Sequence, residues 1–214
     1  MKKSKIIIPI IIAVLAIGII AIVAIMGNNK PQQLQTGAKG DNTKTQEQEE
    51  KKAKEVSLGK TIELSFIKMS LDKIEVKPEY KFSYKEKTSW GSTTHSSSIT
   101  CKSGMKLVCL KGKLTNLSKE GVYTSNDFVK GEIVINGNKY KTRLECVNES
   151  KAEKYYELVA QQSSNYYLYA EVPEKVANEL KSCTVNFGFV ENLESKYISD
   201  LSELDYLYTL TYSK

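Results

Sequence analysis

The chain has a single arginine, Arg143, and a single histidine, His95, although its lysines outnumber its acids and leave a formal charge of +6. Lysine without clustered arginine lacks the planar fork that reads bases and phosphates, so the charge implies a solvated surface and no nucleic-acid partner. Four cysteines, Cys101, Cys109, Cys146 and Cys183, form no CxxC pair and have no neighbouring histidine. Zinc, haem and thioredoxin-like sites therefore lack their ligands, and neither a metal nor another cofactor is expected. No cysteine precedes Cys101, which excludes a lipid-modified N-terminal cysteine. The acids Asp200, Glu203 and Asp205 lack the regular oxygen spacing and glycine bend of a calcium loop. His95 stands among Ser89, Ser92, Ser96, Ser97 and Ser98. Neighbours in one segment do not supply a nucleophile and base held about 3 Å apart with a carboxylate to orient the imidazole. No catalytic residue is assigned, and the chain is not expected to be an enzyme. There is no internal repeat, and no alternation of strands with long helices that would build a nucleotide-binding sheet.

Against these absences stands one long uncharged run at residues 6–26, IIIPIIIAVLAIGIIAIVAIM. As a helix it extends about 31 Å, which matches a hydrocarbon core of about 30 Å. Pro9 falls in or beside the first turn, where a missing N–H costs little. Lys2, Lys3 and Lys5 precede the run, whereas the next basic residue is Lys30. The positive-inside rule keeps residues 1–5 in the cytoplasm and exports the remainder. A cleaved secretory signal is the rival reading, but its apolar region is usually about 7–15 residues and ends in a small-x-small exit, to which Ile22-Val23-Ala24 is a poor approximation. Either reading places the bulk of the chain outside.

Residues 27–55 are almost devoid of apolar side chains and nearly balanced in charge, so they cannot bury enough surface to offset their ordering entropy. They are expected to form a disordered polar linker, leaving 56–214 as one domain. Within that domain the hydrophobic period is two. Ile62, Leu64 and Phe66, then Ile74 and Val76 after Asp72-Lys73, suggest a long strand with a break or bulge. Residues 80–84 suit a further strand, and KTSWGSTTHSSSIT, at 87–100, reads as a loop. Residues 105–115, MKLVCLKGKLT, form the clearest strand, with Val108, Leu110 and Leu114 on a core face and Cys109, Lys111 and Lys113 facing water. Asn116-Leu117-Ser118 closes it as a turn. Asn136-Gly137 supplies the positive φ angles of a tight hairpin. Residues 151–161 fit either a short helix or an extended edge. YYLYAEV, at 166–172, is an aromatic strand stopped by Pro173, and PEKVANEL a helical turn. Cys183, Val185, Phe187 and Phe189 alternate in the next strand. A C-terminal strand offers Leu207 or Tyr206, with Tyr208 and Leu210, to the core. About eight short strands separated by turns argue for an all-β antiparallel sandwich.

The segments KLVCLKGKLTNLSKE, KGEIVINGNKY, SSNYYLYAEVPEKV and TVNFGFVEN together resemble the immunoglobulin-like β-sandwich domains of unknown function carried by bacterial membrane-anchored proteins and lipoproteins. The resemblance covers residues 58–190 and implies extracytoplasmic display of a compact sandwich in the cell envelope. It transfers no catalytic residue.

The candidate contact residues are aromatic. Trp90, beside Gly91, can stack on a sugar or anchor a partner, and Tyr166, Tyr167 and Tyr169, with Tyr206, Tyr208 and Tyr212, can line a carbohydrate-binding face. Each of these groups has an alternative as ordinary strand packing. Parity also separates the cysteines: Cys183 shares the face of Val185 and Phe187, whereas Cys109 shares that of Lys111 and Lys113, so those two do not pair. The reading favours free thiols throughout, as small apolar residues. The expected function is a membrane-anchored, extracytoplasmic, non-enzymatic binding module for a cell-envelope protein or glycan. A structural or regulatory subunit docking onto another membrane or envelope protein is the alternative.

Overall fold

Alternating apolar residues on short strands place the core between two sheets. A computed structural model describes residues 52–124, 129–191 and 200–214. The expected membrane span at 6–26 and most of the linker lie outside these residues. Among the described residues no helix is long and apolar enough to cross a membrane.

In chain order the strands are β1 (Lys54–Val56), β2 (Thr61–Glu63), β3 (Ile67–Ser70), β4 (Lys73–Lys77), β5 (Glu79–Thr88), β6 (Gly91–Thr100), β7 (Met105–Asn116) and β8 (Val122–Tyr123). There follow β9 (Val129–Ile135), β10 (Asn138–Lys141), β11 (Arg143–Asn148), β12 (Glu153–Tyr155), β13 (Glu157–Leu158) and β14 (Ser163–Pro173). The chain continues through α1 (Glu174–Asn178), β15 (Ser182–Phe189), a 3-10 turn (Leu201–Glu203) and β16 (Tyr206–Ser213). One sheet has the order β1-β16-β15-β9-β10. The other runs β12-β11-β14-β7-β3-β2, with β4 also alongside β7. Among the described strands all pairings are antiparallel except β1 with β16. The protein is an all-β sandwich.

The facing surfaces follow the strand period. Cys183, Val185, Phe187 and Phe189 of β15 and Tyr208 and Leu210 of β16 pack against Val108, Leu110, Leu114, Tyr166, Leu168 and Val172 of β7 and β14. Phe187 stacks on Tyr208 at 5.8 Å and meets Phe189 edge-on at 6.1 Å. Tyr206 joins the rim of this core, whereas Leu207 turns to a small cluster with Val190 and Leu204. Asn136 and Gly137 take φ of 51° and 79°, making the expected tight hairpin between β9 and β10.

The expected long broken strand is real only in its second half. Residues 61–63 fold back on β3 as a hairpin, but β3 and β4 run in line beside β7. Met69 pairs with Leu114 and Lys73 with Lys111, so Ser70, Leu71 and Asp72 oppose only Gly112 and Lys113. This β-bulge switches parity: odd-numbered Met69 and Leu71 point inward before it, and even-numbered Ile74 and Val76 after it. Hydrogen bonds hold its backbone in place. Lys113 N–H donates to Ser70 Oγ at 2.8 Å, Asp72 N–H to the Lys111 carbonyl at 3.0 Å, and Leu71 N–H to the Lys60 carbonyl at 2.8 Å. Tyr166, opposite Gly112 on β14, donates its hydroxyl across β7 to the Ser70 carbonyl at 2.8 Å. Gly112 is required here because a methyl group would overlap that carbonyl oxygen.

Three sequence expectations are corrected. Residues 87–100 are not a loop: β5 and β6 pair along their full length, and only Ser89-Trp90 turns between them. A serine- and threonine-rich strand, exposed on both faces from residue 91 to 96, leaves no apolar period to read there. Second, the Cys109 face of β7 does not meet water. Tyr80, Phe82 and Ile99 of the β5–β6 hairpin cover it, forming a second core with Leu107, Cys109, Val147, Tyr167 and Tyr169. Lys111 stays at its margin, 4.8 Å above the Tyr167 ring and 5.6 Å from that of Tyr80, with Glu75 3.7 Å away. Third, Lys54 and Glu55, assigned to the linker, belong to β1 and pair with Tyr208 and Thr209. Residues 151–161 adopt the extended alternative, as a turn followed by β12 and β13. The helical turn expected over 173–180 forms as the shorter α1, with Pro173 ending β14 and standing at the N-cap rather than at the first helical position.

All four cysteines are free. Cys183 and Cys146 lie in the main core and Cys109 in the second, so the sheet itself separates Cys109 from Cys183. Burial pushes the Cys109 and Cys146 thiols up to about 12 and Cys183 to about 11. A group so raised holds almost no thiolate at neutral or mildly alkaline pH. Iodoacetamide on the folded protein should therefore spare these three and label only half-buried Cys101, with all four reacting after denaturation; mass mapping without reduction should find no linked pair. The bulge makes a second prediction. Gly112→Ala should destabilise the sandwich by about 2–3 kcal/mol through overpacking against backbone. Tyr166→Phe should cost about 1 kcal/mol by removing one hydrogen bond. Urea melts of both variants check the order.

Candidate functional site

Asn116 ends β7 with its side chain buried, and its polar atoms find four partners. Its Nδ2 donates to the carbonyls of Glu120 at 2.7 Å and Leu158 at 2.8 Å. Its Oδ1 accepts from the Ser118 N–H at 2.9 Å and the Ser118 hydroxyl at 2.7 Å. The expected turn is thus also a clamp, because the Leu158 bond holds β13 and with it the β8–β13 pair. Thr124 completes the attachment, its N–H donating to the Tyr156 carbonyl at 2.9 Å and its hydroxyl to the Tyr155 carbonyl at 2.6 Å.

That small sheet overhangs a cleft of about 550 Å³. Tyr123 and Tyr156 stand on its rim, 64% and 81% exposed. Arg143, Leu144 and Glu145 of β11 form one wall, beyond the point where β12 ends; β12 pairs only with Cys146, Val147 and Asn148. Tyr169, buried and opposite Arg143 in the β11–β14 register, forms part of the floor. Tyr155 lines the cleft as well, its hydroxyl accepting from Asn148 Nδ2 at 2.9 Å. Arg143 also lies 3.7 Å from Glu171, and Glu145 lies 3.3 Å from Lys154. Burial, followed by the nearby Glu145 carboxylate, raises the Tyr169 phenol above its ordinary value against the opposing pull of Arg143, so it stays protonated and able to donate.

The candidate contact residues read from sequence do not assemble. Trp90 is at the tip of the β5–β6 hairpin, 97% exposed, at the end of an arm whose residues 83–88 and 91–96 are all exposed. Tyr166 is sealed in the main core, and Tyr167 is buried in the second, where its hydroxyl donates to Glu149. Neither lies on an accessible face: β14 is covered on both sides, and a strand covered on both sides uses its aromatic residues for packing. Of the three, Tyr169 alone lines the cleft. Tyr208 is core, and Tyr206 and Tyr212 edge it. Tyr123, Tyr156 and Arg143 are not legible in the sequence as members of one site, because a site built from β8, β11, β12 and β13 has no local motif. The available signal was the doublet Tyr155-Tyr156 in an otherwise polar stretch and the unique arginine.

His95 pairs with Glu86 at 3.0 Å and stacks on Tyr84 at 6.2 Å, along a groove of about 470 Å³ shared with Ser96, Lys151 and Glu153. Among the described residues, no group of three or more His, Cys, Asp or Glu could hold a metal ion.

No family model matches the chain, and no curated protein sequence does. Among solved structures it is similar to an uncharacterized β-sandwich protein from Clostridium difficile 630, with a TM-score of 0.55 at 18% identity over 76% of this chain and 96% of that one. A conserved hypothetical protein from Bacillus anthracis matches with a TM-score of 0.35 at 9% identity over 61% of this chain and 87% of that one. The first likeness shows the β-sandwich fold.

Replacing Asn116 with Ala takes the amide donor from the buried Leu158 carbonyl, whereas the Glu120 carbonyl keeps its bond from the Ser118 hydroxyl, so the cost is roughly 1–3 kcal/mol. Amide hydrogen exchange should rise at Val122–Tyr123 and Glu157–Leu158 well before it rises in β15, because the clamp holds the small sheet and not the core.

Proposed function

We propose that this chain is a membrane-anchored, extracytoplasmic binding module with an immunoglobulin-like sandwich, contacting its ligand through the tyrosine cleft and carrying no catalytic activity of its own. The observation that carries the reading is the pair Tyr123 and Tyr156, two large aromatic side chains held in water above the buried Tyr169 and beside the Arg143 wall. Exposed aromatic surface of this kind is costly unless it is covered in use, and concave sites with a few convergent polar groups are where ligands bind. The uncharged run at 6–26, with Lys2, Lys3 and Lys5 before it, supports anchoring with the sandwich outside.

The docking-subunit reading draws on Trp90. A tryptophan 97% exposed at the end of a projecting hairpin is the type of side chain that dominates protein interfaces. Photo-crosslinking amino acids placed at 156, at 90 and, as a control, at Lys139 on edge strand β10 separate the two in intact, wall-stripped cells. Adducts at 156 above the Lys139 control are the expected result. One stoichiometric protein captured only at 90 favours the docking subunit, and equal yields at all three positions overturn the cleft as the contact site.

A further inference from the structure

The ionic groups of the cleft are already neutralised. Arg143 faces Glu171 and Glu145 faces Lys154, so a positive and a negative side chain sit within one wall, each with its own counter-ion. A strongly anionic ligand would meet Glu145 as well as Arg143, and a cationic one the reverse. Neither gains net attraction, whereas a ligand with many weak donors and acceptors gains from both, because the guanidinium donates and the carboxylate accepts. Rigid phenol rings on the rim add flat apolar faces at low entropic cost, each with a hydroxyl that can donate or accept.

Apolar faces alternating with rings of hydroxyl groups describe a saccharide. A protein segment is a poorer match, since Leu144 is the one aliphatic side chain among the lining residues and offers no deep apolar hole for an anchor. We infer that the cleft binds a neutral oligosaccharide, with successive sugar rings stacked on Tyr123 and Tyr156 and their hydroxyls bonded to Arg143, Glu145 and the Tyr169 phenol. The inference rests on the reading of the cleft as the contact site and names its ligand class.

The test uses the full chain in lipid nanodiscs, titrated by calorimetry with chitohexaose, cellohexaose and maltohexaose, and with an oligogalacturonate as the acidic counterpart. At least one neutral sugar should bind. Tyr156→Ala and Tyr123→Ala should each weaken it about tenfold, the loss of one stacking contact. Arg143→Lys should weaken it less, and affinity should be nearly independent of salt, because no net ion pair forms. The rim tyrosines are solvent-exposed, so unchanged thermal melts verify that these variants are folded. Failure of all three neutral sugars to bind, tighter binding of the acidic oligomer, or full affinity in the Tyr123→Ala/Tyr156→Ala double variant overturns the inference. A protein or peptide captured from position 156 in cells, with none of the neutral sugars binding, overturns the ligand class while sustaining the cleft as the contact site. Equal crosslinking at 156 and Lys139, with a neutral sugar still bound and lost on Tyr156→Ala, sustains the cleft and its ligand class and overturns only the cleft as the contact used in cells.

Discussion

A single hydrogen bond, from the Tyr166 hydroxyl to the Ser70 carbonyl, ties together the features on which the rest of the sandwich depends. It crosses β7 above Gly112, and it satisfies the carbonyl freed by the bulge between β3 and β4. The bulge adds one residue, which reverses the parity of the strand. Without it, Lys73, Glu75 and Lys77 would point into the main core and Ile74 and Val76 away from it. A buried carboxylate or ammonium is far costlier than a kinked backbone. The arrangement therefore trades local regularity for a correct apolar face, and the glycine, the tyrosine and the serine are joint conditions of that exchange.

The same strand direction delivers the chain to the β5–β6 hairpin. Two strands alone are marginal in water, and this pair is stable because its base buries Tyr80, Phe82 and Ile99 on the outer face of the larger sheet. Each fully buried side chain of this size contributes about 1.5–3 kcal/mol. Beyond them the hairpin has no covering, so it continues as an exposed arm ending in Trp90. Its base has a chemical effect too. It removes Cys109 from solvent and raises its thiol to about 12, so that a cysteine sharing its strand parity with Lys111 and Lys113 is inert rather than reactive.

The cleft arises at the opposite kind of place, where a strand ends early. Because β12 covers only the last part of β11, Arg143, Leu144 and Glu145 are left beside the small β8–β13 sheet instead of beneath a neighbouring strand. Asn116 joins that sheet to the end of the longest strand of the sandwich, so a flexible pair of dipeptides becomes a fixed rim. Rigid scaffolds with recognition residues on their connections are a common division of labour, and here one buried amide makes the connection.

What the sequence determined by itself was whatever depends on near neighbours. The period of two in β7, β9 and β15, the Asn136-Gly137 turn, the break near Asp72 and the helical turn after Pro173 all follow from residues within a few positions of one another, and so did the sandwich class. The separation of Cys109 from Cys183 was legible for the same reason, since parity along a strand is a local property. Tertiary structure decided which faces were covered. YYLYA reads equally as a recognition face or as a strand buried twice, and only the hairpin folding over Tyr167 and Tyr169 distinguishes them. A strand as polar as GSTTHSSSIT gains its conformation from its partner, and β1 from the edge of β16, so neither leaves a hydrophobic signature. The cleft was least legible, because Tyr123, Arg143, Tyr156 and Tyr169 come from separate segments and are brought together by strand order, which no local pattern encodes.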